Sequence, residues 1–199
     1  MLTPNALWFV GPASEWFWAM LQFFVVAISL YFIYKQLRIQ SHANMLTALF
    51  ELAAKWDSDR TIEARYQVCE NHKTHPESRA INTPEERIAS FFEQTGLFMK
   101  KGAFIPDVIW EEYSYYIEYY WPMLEPHVKK FGDDERDKSW FENFEALYND
   151  MQKISKRRGV YILKREGTDV ERFIKTEINL IQERKAEAAR SKDAKDLST

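Results

Sequence analysis

Chemistry in this sequence would start from a few side chains. Cys69, His72 and His75 are spaced C-x-x-H-x-x-H, with His127 as a distant fourth donor. Thiolate and imidazole are common zinc ligands, but zinc sites favour paired short spacings from two arms, and one arm is missing here. Cys69 also falls on an apolar helical side, where a thiol usually just packs. Asp57-Ser58-Asp59-Arg60-Thr61 matches the D-x-D-x-T of aspartate-nucleophile phosphatases. That chemistry needs its aspartates at the end of a parallel strand. A helical pattern precedes them, so they read as turn and cap residues. Glu93, Glu111, Glu112 and Glu118 lie in or beside aromatic stretches. Glu93 follows Phe91-Phe92 and is the carboxylate expected to be half buried, with a raised pKa if unpaired. Its ordinary role would be a solvated or Arg-paired helix residue. No G-x-G-x-x-G, Walker A, H-E-x-x-H, G-x-S-x-G or E-x-x-H pattern occurs. The expectation is no catalytic residue, no metal site and no cofactor.

The elements that would carry these residues begin with an apolar run. Trp16 to Tyr34 is 19 residues without a charge. As a helix it would span roughly 28 Å, close to the hydrocarbon thickness of a bilayer. Trp16 and Trp18 at one end, and Tyr31 and Tyr34 at the other, match interfacial aromatic belts. Residues 1–34 hold no Lys or Arg, and the nearest small-x-small triplet, Ser41-His42-Ala43, lies beyond Lys35 and Arg38. A cleaved signal peptide is therefore not expected. Lys35 and Arg38 flank one end only, and the positive-inside rule puts residues 35–199 in the cytoplasm. The chain reads as a single-pass protein of the inner (plasma) membrane, N-terminus outside. Its expected domains are a 1–15 leader, a 16–34 span, a 35–182 cytoplasmic helical bundle and a charged, frayed tail over 183–199.

No proline or glycine interrupts residues 13 to 75, so the span should continue into water as a helix, with Leu46, Leu49, Phe50, Ala53 and Trp56 on one face. A second helix is expected over about Arg60 to Asn71, with Ile62, Arg65, Val68 and Cys69 along one side. His72 to Asn82 reads as a loop. Thr83-Pro84-Glu85-Glu86 reads as a capping box with proline in the first turn. Pro106 opens a helix expected to end at Trp121, with a separate short helix over Met123 to Phe131. A further helix should run from Trp140 to about Arg158 and stop at Gly159. Thr168 and Glu171 form a second capping box, opening a last helix with Val170, Phe173, Ile174, Ile178 and Ile181 on its apolar face. The fold class is all-α, with about five to seven helices and no period-2 strand pattern.

Composition agrees. Apolar residues are 46% and charged residues 29%, which suits a folded chain. One cysteine excludes an intramolecular disulfide framework, and a net charge of −3 argues against a general nucleic-acid binder. Lys153, Lys156, Arg157, Arg158, Lys164 and Arg165 crowd into 13 residues. They could meet anionic lipid, but no apolar membrane-dipping face accompanies them.

The helix from Pro106 to Trp121 is aromatic nearly all round. Aromatics usually fill cores, yet this surplus also suits a protein interface. The contact residues expected are Trp110, Tyr115, Tyr119 and Trp121. YKQL (Tyr34 to Leu37), FFEQTG (Phe91 to Gly96) and YYWP (Tyr119 to Pro122) together resemble an uncharacterised family of small bacterial single-span membrane proteins with a helical cytoplasmic domain. The resemblance covers residues 16 to 160 and implies no activity. The leading expectation is a membrane-anchored protein-interaction module: the lipid bilayer and a protein at the membrane are its partners, it is an accessory subunit without catalysis, and it binds no nucleic acid. The alternative is a tethered enzyme or ligand sensor with a pocket around Glu93.

Overall fold

Glu15 to Trp56 holds neither proline nor glycine and forms one helix, α1, in a computed structural model that describes residues 15–75, 80–137, 139–160 and 168–196. The side chains of residues 41, 42, 188, 189 and 191–196 lie outside that description. The chain divides into two units, Met1–Ala48 and Leu49–Thr199. In the first, α1 carries an 18-residue window of mean hydropathy 1.9, long and apolar enough to cross a membrane. None of that window is buried. A core helix of a soluble protein would bury most of it. Ser29 donates to the Val25 carbonyl at 2.7 Å, so its hydroxyl is satisfied inside the helix. The 1–15 leader falls almost wholly outside the described residues.

The second unit holds the end of α1 and five more helices: α2 (Asp59–Thr74), α3 (Thr83–Lys100), α4 (Pro106–Asp134), α5 (Glu142–Arg157) and α6 (Thr168–Asp196). The described residues are all-α, with no strand. α3 packs on α2, α4 and α5, and α6 packs on α2. The core is aromatic at its centre. The Trp56 ring lies 4.8 Å from Phe91, 5.3 Å from Phe92 and 4.9 Å from Tyr116. The buried Trp56, Phe91 and Phe92 rings each contribute on the order of 2–3 kcal/mol from lost water contact.

Ser58 starts α2 as expected of the Asp57-Ser58-Asp59 turn: its Oγ accepts the Thr61 N–H. Several boundaries differ from expectation. α5 opens at Glu142 instead of Trp140, and Thr168 is already helical instead of capping α6. α2 continues to Thr74, past Asn71. The N-cap of α3 is Asn82 with no side-chain cap bond, and Thr83 is already helical. The expected box does not form; the Glu86 N–H bonds the Asn82 carbonyl at 2.9 Å. α4 runs through Pro122 and Pro126 instead of breaking. Each proline removes one helical donor, but Trp121, Met123, Leu124, His127 and Val128 are buried on both sides of them. That burial outweighs the lost bonds. Finally, α6 continues to Asp196, although its apolar pattern ends at Ile181. Gly102 (φ 73) and Gly159 (φ 71) follow α3 and α5 in the left-handed conformation that ends helices.

Candidate functional site

The four rings expected at an interface separate. Tyr119 and Trp121 are core residues, at 7% and 3% exposure. Tyr119 stacks on Phe173 of α6 at 4.4 Å and 3°, and Trp121 meets Phe144 edge-on at 4.9 Å. The physical reason is that α6 covers Tyr119 through Phe173, while α5 covers Trp121 through Phe144 and Tyr148. Trp110 is half-buried: its Nε1 donates to Ser155 Oγ, and the Arg158 guanidinium lies 4.3 Å above the ring. Tyr115 alone of the four is exposed, at 48%.

Glu93 is half-buried, and its two oxygens are engaged. Oε1 accepts from Asn143 Nδ2 at 2.6 Å and Oε2 accepts the Phe144 N–H at 2.8 Å. Phe141, at the N-cap of α5, has φ 60 and no capping side chain. Glu93 therefore caps α5 from a neighbouring helix, where its negative charge also suits the helix dipole. Glu111 pairs with Arg158 at 3.1 Å, Glu112 is exposed and Glu118 is buried. Three of the basic run's residues meet acidic partners: Lys153 pairs with Asp150, and Arg157 and Arg158 pair with Asp107. Lys164 and Arg165 lie outside the described residues.

Two polar features lie inside the bundle. The first is a charged pair. Arg65 of α2 donates from Nε to Glu177 Oε1 of α6 at 2.6 Å, and Tyr120 of α4 donates to the same oxygen at 3.2 Å. Exposure is 5% for Arg65 and 2% for Glu177. The guanidinium also stands over Trp56 at 4.5 Å and Tyr116 at 5.1 Å. Burial opposes the charge on Arg65, but Glu177 outweighs it and the pKa stays above its ordinary value. Cys69 lies beside this pair. Burial, reinforced by the Glu177 charge, pushes its thiol up to about 12. A thiol so protonated is a poor nucleophile and a poor metal ligand. Burial also holds the Tyr120 phenol well above its usual range.

The second feature is a cavity of about 310 Å³ between α2, α3 and α4. Val68, Met123 and Leu124 give it an apolar wall. Asn71, His72, Glu85 and His127 give it a polar one, with His75 and Asn82 also lining it. Glu85, in the first turn of α3, is 3% exposed. Its Oε1 accepts from Asn71 Nδ2 at 2.9 Å, while its Oε2 is buried without a hydrogen-bond partner. Thus His72, His75 and His127 do line one space, and Cys69 does not. Among the described residues no three His, Cys, Asp or Glu side chains are grouped to hold a metal ion. Neither Glu85 nor Glu177 stood out in the sequence as a functional position. Glu177 could have been noticed, since it falls between Phe173 and Ile181 on one helical stripe.

A family model for a domain of unknown function (DUF4760) matches residues 17–151. The chain belongs to this family. The matched stretch runs from the apolar part of α1 into α5. It includes Arg65, Glu85, Tyr120 and His127, whereas Glu177 lies beyond it. No curated protein and no solved structure matches the chain.

Proposed function

We propose that this chain is a single-pass protein of the inner (plasma) membrane whose cytoplasmic bundle docks on another membrane protein as a non-catalytic accessory subunit. The observation that carries the reading is the complete exposure of the apolar window in α1. Seventeen apolar side chains in the 19 residues from Trp16 to Tyr34 would not stay in water when lipid offers burial. Lys35 and Arg38, against no basic residue in 1–34, support an N-terminus outside. Tyr115 is the ring through which docking is read, because Tyr119 and Trp121 are committed to the core.

The test is co-purification of the full chain from its native membranes in mild detergent. Tyr115→Ala should lower recovery of a stoichiometric membrane partner while leaving the unfolding midpoint of the chain nearly unchanged. A chain that is extracted alone, or a partner retained equally by Tyr115→Ala, contradicts the docking reading. A second reading, a tethered sensor that takes a small ligand into the bundle, draws on the cavity at Glu85. It draws nothing from Glu93, whose oxygens cap α5.

A further inference from the structure

We infer that α1 pairs with α1 of a second copy of this chain, parallel and side by side, along a stripe from Gln22 to Phe50. The inference rests on the membrane reading of α1 and is separate from docking through Tyr115. The two polar side chains of the apolar run, Gln22 and Ser29, lie seven residues apart. Continued at the same interval, the series reaches Gln36, Ala43 and Phe50. Val25, Phe32, Ile39 and Leu46 follow the first four of these at three residues. This 3-4 repeat, held over about four heptads, is the seam along which two helices pack. All these positions are exposed, and none carries a charge.

The stripe turns away from the bundle. α1 puts Leu52 and Trp56 into the core. At 3.6 residues per turn, Phe50 lies roughly 160° around the helix from Leu52. Phe50 is 74% exposed, more than any other large apolar side chain among the described residues, and Leu46 is 52% exposed. They stand roughly 18 and 24 Å along the helix beyond Tyr34, Leu46 first, so the hydrocarbon that covers the span does not cover them.

A second copy supplies what the stripe lacks. The span sets direction and depth, so in a parallel pair each position meets its own counterpart. Ser29 already donates to the Val25 carbonyl, whereas the Gln22 amide makes no hydrogen bond among the described residues. A carboxamide both donates and accepts, so Gln22 bonds Gln22 across the seam, in lipid where water does not serve. Lys35, Arg38 and Glu51 all fall off the stripe, so no like charges are pressed together. Membrane helix pairs cross at the same shallow left-handed angle as soluble coiled coils. One seam therefore continues from lipid into water, where it buries Ile39, Leu46 and Phe50.

The test is cysteine crosslinking of the full chain in its native membranes, with copper–phenanthroline as oxidant. Cys69 is buried and leaves the unsubstituted chain a silent background. Ile39→Cys, Ala43→Cys and Leu46→Cys lie on the stripe; Leu37→Cys and Asn44→Cys lie off it, and all five positions are exposed. The first three should form disulfide-linked homodimers about tenfold faster than the other two, because the bond tolerates little misplacement. Gln22→Leu added to Leu46→Cys should slow dimer formation by roughly threefold or more. Equal rates at all five positions, faster reaction off the stripe, or an unchanged rate with Gln22→Leu overturns the inference. So does a Leu46→Cys product whose mass is that of a different protein. Should Gln22→Leu fail to accumulate, the pattern over the five positions decides alone. Carbonate washing of the same membranes separates two failures. A chain retained by the bilayer without dimers refutes the pairing alone, and a chain washed free refutes the span on which the pairing rests.

Discussion

Arg65 and Glu177 keep opposite charges out of water, and their value lies in being paired. Removing one partner leaves the other charge buried, which costs about 3–5 kcal/mol, whereas replacing both by apolar residues of similar volume is often neutral. Glu177→Ala should therefore lower stability by about that amount, and Arg65→Met with Glu177→Leu should restore most of it. Denaturant unfolding of the full chain in detergent checks both. Cys69 gives a second residue-scale prediction. Its thiol is wholly buried, and burial pushes its pKa up to about 12, so it should resist maleimide at pH 8 in the folded chain and react on unfolding. Because its folded pKa lies above the ordinary thiol value, the associated stability is intact below pH 9 and is lost as pH rises toward 12. Part of this was legible in the sequence. Arg65 shares a helical side with Val68 and Cys69, and a lone cysteine on that side reads as packed. The pairing was not legible, because Glu177 is 112 residues away and only the fold brings the two together.

At the scale of elements, Gly96 shows why α3 and α5 approach so closely. A Cβ there would fall on the Asn143 carbonyl oxygen and stand 3.2 Å from Leu147 Cβ. Gly96→Ala should cost about 1–3 kcal/mol by overpacking. Ser90→Ala, at an exposed position of the same helix, should stay within about 0.5 kcal/mol. Thermal unfolding of the two variants separates close approach from helix propensity. Helix existence was readable from 3-4-7 spacing throughout α3, α5 and α6. Helix ends were less so. The α4 prolines read as a break because local chemistry disfavours them, and tertiary burial of Met123, Leu124 and Val128 overrode that cost. Glu93 read as a half-buried carboxylate, which it is. Its capping of α5 depends on Phe141 adopting a left-handed conformation, which spacing does not announce.

For the whole molecule, the all-α class and the single apolar span are the most legible features, since both follow from long-range hydrophobic patterning. The cavity was hidden, because its residues come from three helices and no spacing in the sequence groups Glu85 with His72, His75 and His127. Tyr119 and Trp121 were legible as aromatic surplus, but only the packing of α6 on Tyr119 and of α5 on Trp121 shows which rings remain outside. The central claim is that Trp16 to Tyr34 lies in lipid and not in a protein core. Alkaline carbonate extraction of membranes from cells producing the full chain tests it most directly. The account predicts that the chain sediments with the bilayer; its quantitative release into the supernatant would contradict the account.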